Sequence, residues 1–441
     1  MHACGINVPD LIQKLFRGTL DCDTKNGDNK ASWDWAVLVG DVWKTHGEAV
    51  ATARQYLPGS FGRPPRNPAE KISSGYKCWE FLHWMYGMLP ALLYGVLPEA
   101  YWKHFCKLVA GVRIVFQRRT MRAEREYAHT MISDFIYEFE KLYVQRKISR
   151  MHFLPQCLHA ILHHPTEFER IGPLICSSQF TMERTIGDLG GEIRQPSNVF
   201  ANLAQRALRR AQVNGLKAMF PDLDPDEHGP SNRVPICDLG GGYSLLHPRE
   251  DHPRLVRQCE ARAIMQYLRR YTVVENLDED EDEVHVQRWA RCRIPNGQIC
   301  RSSWKEVPNH VTRISRNVKV ASSNHSISYG EVLYYFQVKT VDVRCKTLAL
   351  VAQYGSPNRR LLEMSSGVVW ACHAGGDNAL TVIDVKNIIA CSAMIPFSPP
   401  GFDVSDTNKV YFAMDKMGVE MDVLGGLSST DTYNMDEDED M

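Results

Sequence analysis

Glu183 stands one helical turn before Gly187 in the stretch Ser177–Asn198, just after a histidine-dense segment, Met151–Glu169. A carboxylate at a helix start favourably opposes the helix dipole, and Thr181 supplies a hydroxyl that caps such a start. That account needs no metal. The chemical alternative is phosphoryl transfer, in which carboxylates hold two Mg²⁺ ions about 3.5–4 Å apart, one activating the attacking oxygen and one neutralising the leaving one. One carboxylate does not hold two divalent cations. Asp21, Asp23 and Asp28 read as a solvated loop rather than as substitute ligands.

The histidines suggest a second chemistry. A helix begun at Pro155 places His159 and His163 four residues apart on one face, a spacing at which two imidazoles bind one zinc. His164 converges with His159 instead if the helix ends at Pro165. Zinc needs about two further ligands, and no Cys-x-x-Cys pair supplies them; Cys22 and Cys157 are the nearest by position. Polar histidines at a helix end explain the same residues without metal. Asp238–Tyr243 is Gly-rich but reads as a turn, not a phosphate cradle, and the Cys/His scatter contains no evident protease dyad.

The composition bounds these chemistries. With 441 residues, 44% hydrophobic and 23% charged, the chain has room for two or three cored domains. A net charge of -1 gives no bulk attraction to nucleic acid, so binding must come from local patches. Lys103–Arg150 is one basic stretch, containing Arg118 and Arg119. A second runs from Arg184 through Arg194, Arg206, Arg209 and Arg210 to Lys217. Acid gathers in Asp278–Glu283 and Asp436–Asp440. Thirteen scattered cysteines, with no signal peptide or membrane-length apolar run, predict a reduced intracellular protein, nuclear if it meets DNA.

Helices must position these residues. Trp79, Leu82, His83, Tyr86, Leu89 and Leu93 recur at helical spacing, interrupted at Pro90. Pro98 precedes a second helical run, and Ile132, Phe135, Ile136, Phe139, Leu142 and Tyr143 mark a third. Residues 201–218 form an Ala-rich helix ended by Pro221, and another lies around Leu255–Tyr271. Beyond it come short strands: Glu331–Val338, with Val332, Tyr334, Phe336 and Val338 on one face, then Thr347–Tyr354, Val368–Cys372, Leu380–Val385, Ile388–Met394 and Val410–Met414. Turn residues between such strands predict a small barrel. Tyr334, Tyr335, Phe336 and Trp370 read as its core or, in a protein-binding or chromatin role, as the lining of a groove.

Several strings carry a family resemblance: Asn7–Gly18, Pro64–Lys71, Tyr94–Trp102, Thr181–Asn198 and Asn202–Pro225. The chain resembles the carboxy-terminal part of Plavaka-type fungal DNA transposases, in the CACTA/Mirage/Chapaev group. The β region Val332–Val385 is similar to the terminal module of those proteins. The resemblance implies an RNase-H-like nuclease with a helical insertion before its last acidic residue. It assigns the third catalytic carboxylate to Glu183, and a zinc-binding pair to His159 with His163 or His164. The family's second Asp directly precedes a Met-His pair that corresponds here to Met1-His2, so the first two catalytic Asp are expected to be absent.

These readings predict an α+β chain: a mostly α-helical insertion and nuclease remnant followed by a small all-β barrel-like domain. The expected divisions are an insertion over 1–150, a nuclease end over 151–225, a linker with the acidic run over 226–300, the barrel over 301–424 and an acidic tail over 425–441. His159 and Glu183 are expected to share one domain. The function implied is a truncated transposase, inactive alone, with Mg²⁺ an ancestral cofactor and zinc a candidate one. The alternative is a non-catalytic module that binds nucleic acid or protein. No membrane partner is expected.

Overall fold

The computed structural model describes residues 2–193, 197–220, 237–271, 284–309, 312–321, 326–339, 345–400 and 409–418. Met1, Arg194, the acidic run Asp278–Glu283, the side chain of Thr181 and the tail from Ser428 lie outside the described residues. The chain divides into two compact units, one comprising Met1 with Ser177–Val234 and the other comprising His2–Cys176 with Pro235–Met441.

The larger unit opens with helices. They are α1 (Val8–Phe16), α2 (Gly40–Thr52), α3 (Cys78–His83), α4 (Glu99–Val115), α5 (Arg122–Phe139), α6 (Gln156–Leu162) and α7 (His164–Ile171). Pro98 caps α4, as its fixed φ and missing N–H favour. After α3 the chain makes a π-helical turn, Trp84–Met88, before Pro90 enters the first turn of Leu89–Leu92. The core lies between α4 and α5, where Trp102, Phe105, Leu108, Val112, Ile132, Phe135 and Phe139 are buried.

One buried ion pair fastens this layer. Asp28, which reads in sequence as part of a solvated loop, is only 4% exposed. It accepts hydrogen bonds from Arg150 Nε at 2.8 Å and Trp33 Nε1 at 3.2 Å. Arg150 is fully buried and also donates to Tyr143 O, Gln145 Oε1 and Ser32 Oγ. Those contacts hold the turn after α5, where Gln145 and Arg146 take positive φ.

The smaller unit contains α8 (Phe180–Gly191) and α9 (Val199–Met219). Phe220 is the C-cap of α9, and Pro221, the expected stop, lies outside the described residues. No residue of α9 is buried. Arg206 and Arg210 make ion pairs with Glu192, the C-cap residue of α8, at 3.4 and 3.3 Å.

The larger unit resumes with strands β1 (Cys237–Gly240), β2 (Tyr243–Arg249) and β3 (Arg254–Leu255), then helix α10 (Gln258–Tyr271). Next come β4 (His285–Val286), β5 (Trp289–Arg293), β6 (Ile299–Arg301), β7 (Asn317–Ala321), β8 (Ile327–Lys339) and β9 (Cys345–Gln353). The last are β10 (Trp370–His373), β11 (Leu380–Asp384), β12 (Ile388–Pro396) and β13 (Val410–Asp415). Eleven strands form one sheet along the path β1-β2-β5-β8-β7-β12-β13-β10. β6 pairs with β5, and β9 joins β8 to β11. A separate two-stranded ladder joins β3 to β4.

The expected all-β barrel is therefore corrected. A barrel closes only when its terminal strands pair, and among the described residues β1 and β10 do not. The fold is a mixture of helices with an open multi-stranded sheet. The central strands are buried on both faces. On one face Val332, Tyr335, Ala349 and Val351 pack with Trp289, Val318 and Ile388. On the other, Tyr334, Phe336, Leu348 and Leu350 pack with Ala263 and Ile264 of α10.

A β-bulge corrects the strand pattern too. Register shifts between Val332 and Tyr334, so Val332 faces the Tyr335 side while Tyr334, Phe336 and Val338 face α10. The aromatic residues 334–336 are core, not a groove. Helices and sheet are also stitched into one unit. Arg313 donates to Leu57 O and Pro58 O at 2.9 and 2.6 Å, and Arg113 donates to Val368 O at 2.8 Å.

Candidate functional site

Glu183 lies in the first turn of α8, preceded by Gln179 at the N-cap, which makes no side-chain cap bond. It is exposed. Among the described residues, no group of three or more His, Cys, Asp or Glu is arranged to hold a metal ion. Glu183 and His159 fall in different compact units. A short connection in sequence limits distance but not which core each end joins.

The arginines of α9 are not equivalent. Arg206 and Arg210 are half-exposed and engaged by Glu192, with Asp188 a further 3.9 Å from Arg210. Arg209 is exposed, and among the described residues it makes no ion pair. Arg118 and Arg119 occupy the turn between α4 and α5, Arg118 half-buried and Arg119 exposed.

The three candidate zinc ligands separate into two environments. The chain breaks after Leu162 and restarts at His164, with Pro165 in the first turn of α7. His159 and His163 remain exposed, their Nε2 atoms 3.2 Å apart. The His164 ring contacts Cys4 instead, with Nδ1 3.4 Å from Sγ. One residue of helix phase thus divides the trio, and the Cys4–His164 pair has Cys78 and Cys157 as neighbours.

The Cys4–His164 contact invites a nucleophile reading, which its electrostatics oppose. Burial pushes the Cys4 thiol up to about 12, and the neighbouring Cys78 and Cys157 thiols add to the effect. Burial likewise lowers His164 to about 4. An activated cysteine requires a thiolate–imidazolium pair near neutral pH. Here burial favours the neutral form of both partners, which opposes such an activated pair. Sequence inspection had no signal for it, since the two residues are 160 positions apart.

A second unforeseen feature was legible. Arg262, Gln266, Arg269 and Arg270 line a shallow groove on α10. Their steps of four, three and one residue place them on one helical face. Ala263 and Ile264 occupy the opposite, core-facing side.

No family model matches the chain. No curated protein matches it, and neither does any solved structure. No described helix is long and apolar enough to cross a membrane.

Proposed function

We propose that this chain is a transposase-derived protein that does not cut DNA by itself and binds duplex DNA weakly through α9. The ancestry rests on the strings Pro64–Lys71, Tyr94–Trp102 and Thr181–Asn198. The observation that carries the non-cutting half is the setting of Glu183. It is exposed and, among the described residues, belongs to no group of three or more His, Cys, Asp or Glu arranged for metal. Without grouped carboxylates there is no means of holding two cations against a scissile phosphate.

The binding half is supported by Arg209, with Arg206 and Arg210 recruited from their ion pairs. Such contacts neutralise phosphates without reading sequence. Each contributes about 0.9 to the slope of log affinity against log salt, so the slope here should be shallow. The experiment combines two measurements on the purified chain. A supercoiled plasmid with Mg²⁺ or Mn²⁺ should remain uncut; nicking that disappears in Glu183→Gln would overturn the non-cutting half. A fluorescence titration in low salt should detect duplex binding that weakens when Arg206, Arg209 and Arg210 are changed to Glu. Binding unaffected by those changes would remove α9 as the contact.

A further inference from the structure

All thirteen cysteines are free thiols, and two of them meet in the β core. Cys300 of β6 and Cys391 of β12 lie with their Sγ atoms 3.2 Å apart, although 91 residues separate them in sequence. They are 0% and 1% exposed. The contact is held from both sides. Gln298 Oε1 accepts from the Cys391 N–H at 2.9 Å, and Asn296 Nδ2 donates to Ile389 O at 3.0 Å. Those bonds fix the β5–β6 turn against β12, so the sulfurs stay in register. A disulfide needs them only about 1.2 Å closer. Cys292 faces Cys300 across the β5–β6 ladder and is the competing partner.

We propose that Cys300 and Cys391 form a latent disulfide, closed by a small hydroperoxide. β6 is a three-residue strand whose ladder partner among the described residues is β5, and the reaction requires β6 to open locally so that peroxide reaches the buried Cys300. The Cys300 sulfur attacks one oxygen of hydrogen peroxide, the O–O bond breaks, and a sulfenic acid and one water form. The Cys391 sulfur then attacks the sulfenic sulfur and expels the second water. Two thiols and one peroxide give one disulfide and two waters, the thiol hydrogens leaving in the waters. The new bond ties a short edge strand to β12, the strand that joins β7 to β13. By closing a long loop it restricts the unfolded chain and raises stability.

The test treats the folded, reduced full chain with hydrogen peroxide at a dose that oxidises the exposed thiols Cys176 and Cys345. Non-reducing peptide mapping should find a Cys300–Cys391 link, a loss of two hydrogens reversed by dithiothreitol. The oxidised chain should unfold at higher urea than the reduced chain, and Cys391→Ser should lose that increase. A dominant Cys292–Cys300 link would overturn the proposal. So would sulfinic or sulfonic acid at Cys300, or unmodified Cys300 and Cys391 beside oxidised Cys176 and Cys345. Mapping on the unsubstituted chain decides the matter even if Cys391→Ser does not fold.

Discussion

Replacing Asp28 by Asn should be among the most destabilising conservative changes in this protein. The guanidinium of Arg150 is fully buried, and its N–H groups are committed to Asp28, Tyr143 O, Gln145 Oε1 and Ser32 Oγ. Asn preserves the shape but removes the charge, leaving a cation in the core. Breaking a buried pair on one side costs about 3–5 kcal/mol. With a urea slope of about 2 kcal/mol per molar, the midpoint falls by roughly 2 M. Tryptophan fluorescence is a local reporter, because Trp33 donates to Asp28 and Trp35 lies 5.1 Å from the guanidinium. Burial pushes the Asp28 carboxyl up, yet hydrogen bonds from Arg150, Trp33 and the Asn29 backbone outweigh it and hold it below the usual carboxylate range. Its stabilisation is therefore complete above the unfolded value, about 3.9, and is lost as pH falls through the depressed folded value. The paired change Asp28→Leu with Arg150→Met should recover much of the loss, since apolar replacements of buried pairs are often neutral. A loss below about 1 kcal/mol in Asp28→Asn, or additive losses in the double-mutant cycle, would refute the reasoning.

Two further outcomes follow from burial. Burial lowers His46 and His104 to about 4, while the unfolded chain titrates near 6.5. Between those values the unfolded state binds more protons, so stability should be flat above about pH 6.5 and fall below it. The fall is up to ~1.4 kcal/mol per pH unit for each histidine; urea midpoints across pH 4–7 check this, and His104→Asn should flatten the slope. Gly375→Ala should cost about 1–3 kcal/mol by overpacking, because its Cβ would lie 1.9 Å from the backbone oxygen of Gln353. Gly187→Ala on α8 meets nothing within 4 Å and should raise helicity in circular dichroism.

The local elements were legible because their signals are local. Pro98 stands at the N-cap of α4, where its missing N–H is tolerated. The apolar steps Ile132, Phe135 and Phe139 mark one buried face of α5. Strands occur at every alternating run from β8 to β13. The basic positions of α9 were visible as a stripe, but their engagement by Glu192 was not.

What the sequence could not determine are relations between distant elements. Alternation shows that a strand has faces, not whether the last strand meets the first, so closure was misread. One bulge beside Leu333 moved Val332 to the opposite face from Tyr334. Asp28 resembled any loop acid until Arg150, 122 residues away, was folded onto it. The histidine trio parted because a helix restarts at His164 and turns that ring towards Cys4. Periodicity depends on bonds a few residues apart and is written in the chain itself. Pairing across the core depends on which surfaces meet, and the tertiary structure alone decides that.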